Sequence, residues 1–326
     1  MKKIRQKTIL IFIFLLCACA TQKSKPSSDQ PIEPPATGQL ESKEQEMGPP
    51  LPPDGLPTVA PSASAKSLEP ATNNNEGYVL VFGPGLARTF AYLGILIEFQ
   101  DKQIPIKAAV GIEMGAMVLG VWLSSNVNQL EWSLYKFKKE TLLDYSFFKF
   151  GNKAATGKKL YSFLESSIKI PQLEKMPLPF YVVSLTAADE VIIENQGSTK
   201  DVIRGAMSIP GVLQTHQWGG KIRMSAALVS PFPVDKIKEK FPENTKIFCV
   251  DVLGKGSNFY PKDALDEHLS SLMKSIAALS QQQIKGCTVS LFIPTDGISY
   301  LDFESREELV YRARAAFQGW YEKNIF

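Results

Sequence analysis

Histidine is almost missing from this 326-residue chain: there are two, His216 and His268, far apart. Cysteine is scarce as well, with four residues split between the N-terminus and two apolar segments. No His/Cys/carboxylate cluster has metal-ligand spacing, so neither a metal centre nor a cofactor is expected. An excess of one charge is also missing. Thirty-six Lys and Arg face 33 Asp and Glu, for a net charge of +3, with both signs mixed along the chain, and this gives no basis for nucleic-acid binding. No internal repeat is evident. Near the N-terminus the longest apolar run, Thr8 to Leu16, is too short for a bilayer core of roughly 30 Å. From Ala20 to Asn75 there is no Phe, Tyr or Trp, which excludes a packed core over that stretch.

What is present begins with a charged leader. Lys2, Lys3, Arg5 and Lys7 precede the apolar run, which ends in Leu16-Cys17-Ala18-Cys19. That order is the layout of an export signal, and Leu16 to Cys19 looks like a bacterial lipobox with Cys19 as the lipid-bearing residue. Cys17 suits that role poorly because bulky Leu16 precedes it, and a plain secretory signal is the alternative. If the host is Gram-negative, Ala20 after the lipidated cysteine resembles the outer-membrane pattern. Eleven of the 22 prolines then fall between Pro26 and Pro70, among Ser, Gln, Glu and Lys. Such a segment cannot bury enough apolar area to offset its ordering entropy. It reads as a tether with a typical reach of roughly 40 Å. The expected organisation is a signal over 1–18, a lipidated cysteine and tether over 19–76, and a globular domain over 77–326.

Hydrophobic runs within that domain alternate with amphipathic ones. Strands are predicted at Tyr78–Phe82, Lys107–Val110, Pro179–Leu185, Val191–Glu194, Lys246–Leu253 and Val289–Ile293. Lys246–Leu253 is nearly continuous in apolar character, as buried parallel strands are. Helices are predicted at Arg88–Gln100, after Gly115 through Trp122, at Asp263–Gln283 and at Ser305–Tyr321, the last with Leu309, Ala313, Phe317 and Tyr321 at intervals of four. Strands alternating with helices predict an α/β layered fold. Cys249 and Cys287 lie in strand-like segments. Buried thiols are the plain reading of that pair, and an oxidising compartment keeps a disulfide open.

One segment carries its own chemistry. Lys107 to Ala116 reads as strand, sharp turn and apolar helix, with Gly111 and Gly115 two residues either side of Glu113. That is the layout of a nucleophile elbow. Around it, GPGLARTFAYLGIL (Gly83–Leu96), IPIKAAVGIEMGA (Ile104–Ala116), GAMSIPGVL (Gly205–Leu213) and MSAALVSPFPV (Met224–Val234) follow in order. These motifs, with the tail IPTDGISYLDFESREELV, resemble in order and spacing those of the bacterial patatin-like phospholipases, over about Tyr78 to Tyr321. The resemblance implies a three-layer α/β fold, with a central, mostly parallel sheet flanked by helices.

It also implies a Ser–Asp dyad and a Gly-rich loop whose backbone N–H groups bind an oxyanion. This chain departs from that pattern at each part. Glu113 stands at the serine position and Ser225 at the aspartate position, followed by Ala226-Ala227 in place of Gly-Gly. The loop reads Pro84-Gly85-Leu86; Pro84 has no N–H to donate, and Leu86 adds a side chain. Arg88 is retained, either as a surface residue at a helix start or as an anion binder. The direct expectation is a pseudoenzyme. A reversed pair, with Ser225 as nucleophile and Glu113 as base, is the catalytic alternative. A simpler account of the pair is that Ser225 hydrogen-bonds Glu113 and satisfies its carboxylate.

The functions expected are therefore binding or scaffolding at the cell envelope, a weak or altered lipid acyl hydrolase, or a structural lipoprotein in which the tether matters most. Membrane contact through the N-terminal lipid, an acyl lipid ligand and a protein partner of unknown kind are the expected interactions. Trp132, Tyr135, Phe137 and Phe147–Phe150 read mainly as core, with a substrate mouth or membrane contact as the alternative. His216 and Trp218 precede the Ser225 loop; loop packing is the plainer role for them, with the edge of the cleft as the alternative.

Overall fold

The computed structural model describes residues 77–145, 154–254 and 264–325. The leader, Cys19, the tether and Phe147–Phe150 lie outside the described residues. In chain order the strands are β1 (Tyr78–Phe82), β2 (Ile106–Ile112), β3 (Phe180–Thr186), β4 (Val191–Glu194), β5 (His216–Trp218), β6 (Lys221–Ser225), β7 (Lys246–Asp251) and β8 (Val289–Phe292). The helices are α1 (Ala91–Asp101), α2 (Met114–Leu123), α3 (Val127–Lys136), α4 (Lys139–Leu142), α5 (Lys158–Ser167), α6 (Thr199–Ala206), α7 (Val234–Lys238), α8 (Ala264–Gln283) and α9 (Arg306–Ile325).

One eight-stranded sheet runs in the order β5-β6-β3-β2-β1-β7-β8, with β4 paired to β3. The five strands β3-β2-β1-β7-β8 are parallel, while β4, β6 and β5 pair antiparallel. Four of the five β1 residues are buried, and so are all of β7 after Lys246. Helices on both faces of a parallel sheet demand such continuous apolar strands. Every side chain of α2 is buried, which explains its almost unbroken apolar sequence. On α9, Leu309, Ala313 and Phe317 are buried and Tyr321 packs against the core, as the interval of four predicts.

α1 and α9 pack closely through Gly94, where a Cβ would lie 2.5 Å from the Val310 carbonyl. A partly buried polar clasp holds the same pair: Arg314 Nε and Gln318 Nε2 donate to Glu98 Oε1 at 2.7 and 3.1 Å. Cys249 in β7 and Cys287 just before β8 are joined by a disulfide, with Cα atoms 6.1 Å apart. The less plain of the two readings left open for that pair is therefore the one the structure adopts.

Two expectations are corrected. The predicted helix from Arg88 enters as a 3-10 turn over Leu86–Phe90 before α1 begins. The stretch from His216 to Ser225, read as loop, is a hairpin of β5 and β6.

Candidate functional site

The parallel strands β1 and β2 end side by side at Phe82 and Ile112, and the loops that follow them meet. After β1 comes Gly83-Pro84-Gly85, and after β2 comes Glu113. Neither glycine of the β1 loop tolerates a side chain. A Cβ on Gly83 would lie 2.3 Å from the Phe232 ring, and one on Gly85 would lie 2.4 Å from Val252. Tyr92 Oη braces the loop by donating to the Gly83 carbonyl at 2.9 Å. Leu86 then takes φ +50°, a conformation natural to glycine and strained for leucine. Thr89 Oγ1 donates to the Leu86 carbonyl at 2.7 Å and holds that turn.

Glu113 sits at φ +54°, ψ −125°, in sparsely populated backbone space for a non-glycine residue. The strand-to-helix turn needs both flanking glycines. A Cβ on Gly111 would lie 2.3 Å from the Ala116 Cα, and one on Gly115 would lie 2.4 Å from the Phe82 carbonyl oxygen. The elbow expected from the sequence is thus present as geometry, with a carboxyl group at its apex.

That carboxyl group turns inward. Glu113 has no exposed surface. Its Oε2 accepts the Gly85 N–H at 3.0 Å and the Leu86 N–H at 3.3 Å. These are two adjacent amides of the loop expected to cradle an oxyanion, now filled by a side chain of the same molecule. Among the described residues, buried Oε1 has no hydrogen-bond partner. Burial pushes the carboxyl up from its ordinary range, opposed by hydrogen bonds from the Met114, Gly85 and Leu86 amides. The start of α2 lies directly behind it and favours a negative group.

Ser225 ends β6. Ile112 pairs with Val183 of β3, and the next β3 residue, Ser184, pairs with Ser225. The register thus brings positions 113 and 225 to the same end of the sheet. Ser225 is also fully buried. Its Oγ accepts the Ala227 N–H at 3.2 Å as the cap of a 3-10 turn over Ala226–Leu228. No hydrogen bond joins Ser225 to Glu113 among the described residues. The expectation that Ser225 satisfies the carboxylate is corrected: paired backbone amides meet Glu113 first, and the serine serves its own turn. Among the described residues no base is hydrogen-bonded to its hydroxyl, the contact that activates a serine nucleophile.

Arg88 is not a surface residue. It is wholly buried, donating through Nε to the Ile298 carbonyl at 3.0 Å and through Nη1 to the Leu253 carbonyl at 2.9 Å. It lies over the Tyr300 ring at 3.7 Å and favours the ionised form of buried Asp251. Its role is to tie the β1 loop to the turns after β7 and β8. Of the aromatics, Phe137 is core, whereas Trp132 and Tyr135 are 50% and 48% exposed and stack on each other. Reading these as core fails for that pair, because they occupy the outer face of α3.

Sequence reasoning missed a polar cluster around α6. His216 Nε2 lies 2.8 Å from Asp201 Oδ1, which also accepts from Tyr161 Oη at 3.1 Å. Arg204 is buried alongside. Arg204 falls just before the GAMSIPGVL motif, but the spacing of Asp201 and His216 carries no signal; α6 packing on the β5–β6 hairpin joins them. Among the described residues no group of three or more His, Cys, Asp and Glu is arranged to hold a metal ion.

No protein-family model matches the chain. It is 26% identical over 163 residues to uncharacterized NTE family proteins of Mycobacterium tuberculosis and Mycobacterium bovis, a match covering 48% of this chain and 44% of theirs. The match therefore spans less than half the length of those relatives. Among solved structures, VipD from Legionella pneumophila superposes with a TM-score of 0.51 at 12% identity, covering 76% of this chain and 67% of that one. That likeness bears on fold alone, and the fold is the expected patatin-like α/β arrangement, a central mixed sheet flanked by helices.

Proposed function

We propose that this chain is a degenerate patatin-like phospholipase, a lipoprotein of the cell envelope whose domain binds a lipid or a partner, or scaffolds one, without hydrolysing acyl esters. The observation that carries this reading is the Glu113 carboxyl group, bonded at 3.0 and 3.3 Å to the Gly85 and Leu86 amides. A tetrahedral intermediate needs those donors for its oxyanion, and each lost donor costs about 3–4 kcal/mol of transition-state stabilisation. Here the carboxyl occupies both. Position 113 holds no hydroxyl, and among the described residues no base is hydrogen-bonded to the hydroxyl of Ser225. Similarity to NTE family proteins supports the family assignment. The leader and the lipobox ending at Cys19 support export and anchoring, and the Cys249–Cys287 disulfide fits an oxidising compartment.

The test is hydrolysis of short- and long-chain acyl esters by the full chain, by Glu113→Ala and by Ser225→Ala, with fluorophosphonate labelling of all three. We expect no turnover above background and no label in any of them. Turnover by the wild-type chain that disappears in Ser225→Ala, with the label mapped to Ser225, would sink the proposal and establish a reversed pair instead.

A further inference from the structure

Apart from the Glu113 site, a cavity of about 380 Å³ is lined by Lys158, Tyr161, Ser162, Arg204, Thr215 and His216, with the Thr156–Gly157 turn in its wall. It lies where the start of α5, the α6 helix and strand β5 come together. Neither Glu113, Ser225 nor any residue of the β1 loop lines it. Among the described residues, none of its lining side chains is acidic.

Arg204 is the unusual member. It is 2% exposed, and its guanidinium is held by neutral oxygens. Nη1 donates to Ser208 Oγ at 2.7 Å, Nη2 to the Gln214 and Thr156 carbonyls at 3.0 and 3.2 Å, and Nε to the Gly157 carbonyl at 3.4 Å. One N–H of Nη1 is left without a protein acceptor among the described residues. Burial brings its pKa down to about 10, with Asp144 opposing the fall through space. A buried cation with no carboxylate in contact is costly unless a counter-charge arrives.

The two nearby carboxylates are engaged on other groups. Asp144 accepts from Thr156 Oγ1 and from the Gly157 and Lys159 amides at the start of α5. Asp201 accepts from Ser198, Tyr161 and His216. Because a carboxylate only accepts, Asp201 fixes the His216 proton on Nε2. Lys158 is exposed at the cavity's edge, and the hydroxyls of Ser162, Tyr161 and Thr215 complete the lining.

We propose that this cavity binds a phosphate-bearing ligand, whose anionic oxygens are held by Lys158 and by the Ser162 and Thr215 hydroxyls and place a counter-charge near buried Arg204, which has no carboxylate in hydrogen-bond contact among the described residues. A tetrahedral phosphate presents several acceptors to such a ring of donors. The volume suits a headgroup-sized molecule, being at the lower end of the range for small-ligand sites. The source of the phosphate, a soluble ester or a lipid headgroup, is decided by experiment.

Titration calorimetry on the full chain carrying Cys19→Ser, so that no N-terminal lipid draws it to membranes, would use inorganic phosphate and glycerol 3-phosphate. Co-sedimentation would use vesicles of phosphatidylcholine with and without phosphatidylglycerol. We expect saturable binding of glycerol 3-phosphate or of the phosphatidylglycerol vesicles, weakened about tenfold or more by Lys158→Glu, in keeping with loss of a charge-assisted contact. Lys158 is exposed, so unchanged circular dichroism and melting temperature verify the fold of the variant. Binding of the soluble ester assigns a soluble ligand, and binding of vesicles alone assigns a lipid headgroup. No saturable binding of any probe at millimolar concentration overturns the proposal. So does binding that Lys158→Glu leaves unchanged.

Discussion

Glu113 is held in a strained backbone conformation, and its side chain satisfies the amides beside it only by being fully buried. Two effects oppose each other there: burial disfavours the charge, and the amides favour it. Burial is the larger, so the carboxyl binds a proton more tightly folded than unfolded. Stability then falls as pH rises from the ordinary carboxyl range, about 4.3, towards the raised folded value. Glu113→Gln removes this titration. We expect its stability relative to the parent chain to rise from pH 4.5 to pH 8, as measured by urea unfolding at both. A flat difference would show that the group titrates normally. At this scale the elbow was readable, because Gly111 and Gly115 frame position 113 whatever residue fills it. The fate of the side chains was not. Arg88 takes its role from carbonyls at Leu253 and Ile298, 165 and 210 positions away, and no local pattern carries that information.

The elbow turns because helix α2 starts within van der Waals distance of the end of β1. Gly115→Ala puts a methyl group 2.4 Å from the Phe82 carbonyl oxygen, a backbone atom that cannot swing aside. We expect a loss of about 3 kcal/mol, the cost of overpacking a tight core, seen as a lower urea midpoint at unchanged slope. At the far side of the sheet, the disulfide closes 38 residues of chain between β7 and the entry to β8. Chain entropy assigns such a loop about 4 kcal/mol, so Cys249→Ala with Cys287→Ala should lower stability by up to that amount in non-reducing unfolding. Under reducing conditions the parent and the double variant should converge. The central strands were legible because both faces are buried and their apolar runs are continuous. The β5–β6 hairpin was missed because its strands are short, polar and at the sheet's edge. Its signal was there in Gly219-Gly220, both at positive φ, the pair that closes a two-residue hairpin.

Across the whole molecule, composition separates an aromatic-free stretch from a domain whose core begins at β1. If Cys19 carries the lipid, Cys19→Ser should move the chain from the membrane to the soluble fraction after cell lysis, whereas Cys17→Ser should leave it in place. An equal effect of both substitutions would put the attachment in doubt. Composition and motif order made the layered fold legible at this scale, but not the cavity at Arg204, which exists only once α5, α6 and β5 are assembled. The Glu113 carboxyl, in its seat at the ends of β1 and β2, also limits what the domain can do with a lipid ester. An occupant on the same backbone is never diluted. An outside ligand therefore meets a competitor of fixed strength, and its apparent affinity for those amides is scaled down by the fraction of chains whose own side chain has moved away.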